Sequence, residues 1–164
     1  CLTAPSVSLE GESLWRIRSL PVSPWQTLRA KLELHLAVTL PPALLCAGVL
    51  LAVVRAALPM VLLGLLAVAL FVVLSAAVGL VLGVLMPGFH WTSETAVIKQ
   101  SPFCLLAMLL SWGAALALFA GTAALSHRMP PAVSLSLACL LLAGADALAL
   151  RWLKTKGAAR FETT

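Results

Sequence analysis

The feature that most constrains this chain is a set of four long apolar blocks, at about residues 33–54, 59–86, 102–125 and 132–150. Runs of ~18 or more apolar residues read as membrane-crossing helices. With 62% hydrophobic and 10% charged residues, the chain lies far from a soluble domain, which is roughly half apolar and a quarter charged. A membrane β-barrel is excluded by the same blocks, because barrel strands alternate apolar and polar residues. The expected fold class is all-α: a polytopic integral membrane protein whose four transmembrane helices follow an N-terminal amphipathic cytoplasmic segment.

Three parts are expected. Residues 1–31 form an amphipathic segment, 32–150 the four-helix transmembrane domain, and 151–164 a basic tail. In the first part Leu14, Trp15, Ile17 and Leu20 share one side of a short helix, with Arg16 and Arg18 towards water. Pro21 and Pro24 then break it. An apolar stripe with Trp and Arg suits a membrane interface or a partner protein. The chain opens on Cys1 without a signal sequence, and reads as an excised piece of a longer protein.

Proline and small residues punctuate the blocks. Pro41 and Pro42 interrupt the first and mark a possible hinge, since a kinked span is tolerated where the freed carbonyls find other partners. Ser75, Gly79 and Gly83 are spaced by four in the second block, and Gly113, Ala117 and Gly121 in the third. Such ladders let helix backbones approach closely, within this chain or with a second copy. Cys46, Cys104 and Cys139 fall inside the blocks and read as small packing residues.

Charge placement sets the expected orientation. Arg16, Arg18, Arg29, Lys31, Lys99, Arg151, Lys154, Lys156 and Arg160 fall on one side, and only Arg55 and Arg128 on the other. Nine against two is a strong positive-inside bias. The N-terminal segment, the 87–101 connection and the tail are therefore expected in the cytoplasm, with the protein multi-pass in the plasma membrane. The net charge of +5 resides at span ends, which argues against a nucleic-acid partner; the lipid bilayer is the expected surround.

Chemistry-bearing motifs are sparse. There is no phosphate-binding G-x-x-x-x-G-K-[ST] loop, no H-E-x-x-H and no G-x-S-x-G. His35, His90 and His127 are isolated and fall at different depths, so no metal site, no catalytic residue and no cofactor is expected. Asp146 is the one acid within an apolar block. It is expected to lie about one turn from the inner end and to snorkel towards Arg151 or Lys154, with a transport role as the sharper alternative. The two inner connections mix aromatic residues with charge: Trp15, Arg16, Arg18 and Trp25 in the first, Phe89, His90, Trp91, Glu94 and Lys99 in the second. Each suits interfacial anchoring or the docking of a cytoplasmic partner.

At these two connections the chain resembles the ABC-2-type exporter permeases of bacteria. Ser8 to Gly11, Leu14-Trp15, Ser19 to Ser23 and Lys31 match the Ser-Leu-Glu-Gly, Leu-Trp, Ser-Leu-Pro-Val-Ser and Lys of the family's cytoplasmic loop. Pro87, Phe89, Trp91, Glu94, Lys99 and Gln100 match its Pro-x-Phe-Asp-Trp-x-x-Glu-x-x-x-x-Lys-Gln pattern, with His90 in place of Asp. The resemblance implies the C-terminal half of a permease, a separate ABC ATPase subunit as partner, and remaining transmembrane helices from the parent chain or a second copy. It makes Leu14, Trp15, Arg16, Arg18 and Trp25 the coupling residues, with Phe89, Trp91, Glu94 and Lys99 in the second cytoplasmic loop. The alternatives are an ATP-independent transporter driven by an ion gradient, a membrane scaffold, and an intramembrane protease. For the last, Glu10, Glu12 and Arg16 are similar to the Glu-Glu-x-x-x-Arg signature of CAAX-type proteases, but Gly11 separates the acids.

Overall fold

In the computed structural model, residues 24–85 and 102–157 are described. They form four helices: α1 (Pro24–Val53), α2 (Leu58–Leu85), α3 (Pro102–Ser126) and α4 (Pro131–Trp152), the last continued by a π-helical turn, Leu153–Gly157. All four contain segments long and apolar enough to cross a membrane. The chain is thus an all-α membrane protein with four spanning helices.

The interior boundaries follow local chemistry. α1 closes in a Schellman turn: the Ala56 N–H donates to the Leu51 carbonyl and the Arg55 N–H to that of Ala52. Arg55 takes the left-handed conformation this turn requires, with φ of 54°, at a cost of about 1–2 kcal/mol for a residue with a Cβ. Pro59 lies in the first turn of α2 and Pro131 opens α4, where a missing N–H costs nothing. Both links on this side, 54–57 and 127–130, are therefore tight antiparallel corners.

The outer boundaries extend further than hydropathy alone predicts. α1 starts at Pro24, before the charged residues Arg29, Lys31 and Glu33. Arg29 and Glu33 are one turn apart and ion-paired at 2.7 Å on the exposed face, so they support the helix by about 0.3–0.5 kcal/mol. On its opposite face Leu28 and Leu32 are buried. Trp25 and residues 26–31 are accordingly the first two turns of α1. The helical path after α4 likewise runs through Arg151 and Lys154 to Gly157, because Leu153 and Gly157 face inward while the cationic side chains stay exposed.

Helix α2 is the centre of the bundle and touches α1, α3, α4 and the π-helical turn. Its buried face is Ala76, Ala77, Gly79, Leu80, Gly83 and Val84. This face includes the two glycines of the ladder, with Ser75 half-buried at its edge and its hydroxyl donating to the Val72 carbonyl. The core gathers Leu28 and Leu32 of α1, Ala76, Ala77, Leu80 and Val84 of α2, and Leu153. Trp25 and Trp152 close over it from the ends of their helices.

The other ladder is used differently. Gly113, Ala117 and Gly121 of α3 are exposed, and a Cβ added at Gly113 or Gly121 would meet nothing within 4 Å. Among the described side chains of α3, Ala107 alone is buried. Gly113 and Gly121 therefore make no close helix contact among the described residues.

Pro41 and Pro42 lie within α1 without ending it. Each lacks an N–H, so the carbonyls of Ala37 and Val38 lose their helical donors. Both prolines are exposed. Replacing both with alanine restores two hydrogen bonds and removes ring clashes, each interior proline costing about 3 kcal/mol. The double variant should unfold at higher temperature and exchange the new amide protons slowly. Unchanged thermal stability with fast exchange there would mean that the helix does not pass through these residues in the membrane.

Candidate functional site

Two places in the bundle combine geometry with polar chemistry. The first is the core at the end of α1 that follows the N-terminal segment. Trp25, Leu28, Leu32 and His35 are spaced by three and four, so they form one stripe on α1. That stripe lies against α2 and against the π-helical turn. His35 is 7% exposed, and its Nδ1 has no hydrogen-bond partner among the described residues. Its backbone carbonyl accepts the Thr39 hydroxyl at 2.7 Å, one turn before the two prolines.

The second place is the seam between α2 and α4. The Cys139 thiol donates to the Leu63 carbonyl at 3.6 Å near one end. Leu153 joins Ala76, Ala77 and Leu80 near the other. These two contacts make α2 and α4 run in the same direction, and they set the register. Asp146 lies two turns from each of them, on the same stripe of α4 as Leu142 and Ala149. It is 5% exposed, and neither carboxyl oxygen has a hydrogen-bond partner among the described residues.

This placement corrects the sequence reading of Asp146. The helical path runs ~16 Å beyond it at 1.5 Å per residue, to Gly157. The helix therefore continues past the carboxyl, although Arg151, the first of the cationic side chains, follows it closely in the chain. Asp146 does not pair with Arg151 or Lys154, which are exposed. Their facing is the reason: Asp146 lies on the inner face of α4, and the cationic side chains on the outer face of the continuing helix.

A groove of about 480 Å3 separates α3 from α4. Ala117 and Gly121 line it from α3, Ala138, Leu142 and Ala145 from α4, and Leu74 from α2. Its walls are apolar, and it reaches the residue beside Asp146. Among the described residues, no group of three His, Cys, Asp or Glu could hold a metal ion. Cys46 is exposed and Cys139 buried, and both are free thiols.

The expected coupling and loop residues divide by position. Trp25 is at the core. Leu14, Trp15, Arg16 and Arg18, together with Phe89, Trp91, Glu94 and Lys99, lie outside the described residues. Two participants were missed: Leu153, which closes the core, and His35. The three-and-four spacing from Trp25 to His35 was a usable signal for the early start of α1. Leu153 had none, since it sits among charged residues in a segment read as tail.

The fold and these two places define a four-span helical membrane bundle with a tight core at one end and, in the α2–α4 seam, a buried acid with no hydrogen-bond partner among the described residues. No protein-family model, no curated protein and no solved structure matches this chain.

Proposed function

We propose that this chain is the membrane subunit of an ABC-2-type exporter, moving its substrate with energy from a separate ATPase subunit. The observation that carries this reading is the seating of the start of α1. Trp25, Leu28 and Leu32 join α1 to α2 and to Leu153 where the N-terminal segment enters the bundle. A displacement of that segment is thereby passed to three elements together, because close-packed interiors transmit strain instead of absorbing it. A permease without a phosphate loop of its own needs such a rigid input. In this reading the N-terminal segment, the 87–101 connection and the tail are cytoplasmic, as the charge bias requires. Trp15 is the apolar anchor on the ATPase and Arg16 and Arg18 its polar rim, the arrangement of an interface hot spot.

Isolation of the protein from its native membrane in mild detergent, with mass spectrometry of what accompanies it, tests the assignment. A stoichiometric ABC ATPase is expected. In Trp15→Ala its association should weaken by about 2 kcal/mol or more, roughly thirtyfold, while insertion is unchanged. Recovery of the protein alone, even after crosslinking in membranes, would remove the reading. A second reading, a transporter driven by an ion gradient, is favoured by one observation: the buried Asp146, without a hydrogen-bond partner among the described residues.

A further inference from the structure

We propose that Asp146 is a proton-binding site of the bundle, its carboxyl carrying an exchangeable proton in the α2–α4 seam in this packing. The inference goes beyond the exporter reading and stands whether or not an ATPase drives the chain. It rests on burial and the absence of a donor. Asp146 is 95% buried on the face of α4 turned to α2, two turns from both the Cys139–Leu63 contact and Leu153. Neither of its oxygens meets a donor among the described residues. A bare carboxylate in the membrane interior is costly, and such groups persist where they bind an ion or a proton.

The surrounding groups decide which ligand fits. α2 carries no ionisable side chain over Leu58–Leu85, and α3 carries none beyond Cys104. On α4, Cys139 is committed to the Leu63 carbonyl and Arg151 is exposed. On α1, His35 forms no hydrogen bond to Asp146, and Cys46 is exposed. Lys154 and Lys156 of the π-helical turn are also exposed. Arg29 of α1 is paired with Glu33, and neither it nor Lys31 hydrogen-bonds Asp146, so among the described residues no cationic group pairs with the carboxyl. A hard metal cation needs about six oxygen ligands, and here there is one carboxyl. The hydroxyls of Ser75 and Ser134 are turned onto carbonyls of their own helices, those of Val72 and Pro131. A proton is the ligand that a single carboxyl can hold. Water entering the α2–α4 seam would solvate the anion and release the proton, so occupancy follows the opening of that seam.

Infrared spectroscopy of the protein reconstituted in lipid vesicles at neutral pH tests this directly. The wild type should show the carbonyl band of a protonated carboxylic acid, displaced in deuterated buffer. The band should be absent in Asp146→Asn and moved in Asp146→Glu. Asp146→Asn, which mimics the neutral acid, should also keep the thermal stability of the wild type. An acid band unchanged in both variants, or a wild type with carboxylate bands only, overturns the proposal. Should Asp146→Asn fail to insert, the displacement in Asp146→Glu decides alone, and its absence is equally fatal.

Discussion

Leucine in place of Ala76 should loosen the bundle by about 1–3 kcal/mol, the usual cost of overpacking a close-packed interior. Ala76 is fully buried, on the same face of α2 as Gly79, Leu80 and Gly83. Added methyl groups there have no free volume, so either α2 shifts or a neighbouring side chain leaves its rotamer. In lipid the penalty is not offset by extra burial, because lipid tails are as apolar as leucine and association rests on close packing. Unfolding titration in mixed micelles should show an earlier midpoint. Leu62→Ala is the control, since Leu62 lies on the same helix but is largely exposed, and it should change little. Equal effects in the two variants would mean that the buried face of α2 is misassigned.

The second large effect is expected at Leu153. It is 1% exposed and is the π-helical turn's contribution to the core of α1 and α2. Removing its side chain to alanine leaves a cavity, for which soluble cores lose about 2–5 kcal/mol. The transfer part of that figure is small when lipid is the alternative solvent. The loss of dispersion contacts remains, which places the expectation in the lower half, about 2–3 kcal/mol. The deficit should appear in the same titration, together with faster cleavage by a protease at the end of α4. Unchanged cleavage would show that the turn after Trp152 is held by something other than Leu153.

The number and order of the helices were legible in the sequence because length and apolarity alone decide them. The ends of α2 and α3, and the start of α4, agree with the apolar blocks to within a residue, where Pro59, Pro102 and Pro131 mark the starts. The face of each helix was far less legible. Leu34, Leu45, Leu116 and Phe119 are exposed and Leu28 and Leu80 buried, yet all are equally apolar. In a protein surrounded by lipid, hydrophobicity does not separate inside from outside. Small residues carry that information only in part: Gly79 and Gly83 are buried, whereas Gly113 and Gly121 at the same spacing are exposed. Charge is a poor guide to where the helices end. Arg29 and Glu33, and later Arg151 and Lys154, lie at the edges of the apolar blocks, yet each occupies the outer face of a continuing helix.

The two short corners have a mechanical consequence. With Arg55 held in a Schellman turn and the 127–130 link equally brief, α1 cannot part from α2, nor α3 from α4, on that side of the membrane. The described residues are thus divided into two hairpins, α1–α2 and α3–α4. Any rearrangement that keeps both corners intact must be a pivot of one hairpin on the other. Such a pivot shears the seam between α2 and α4, and the buried Asp146 lies on it.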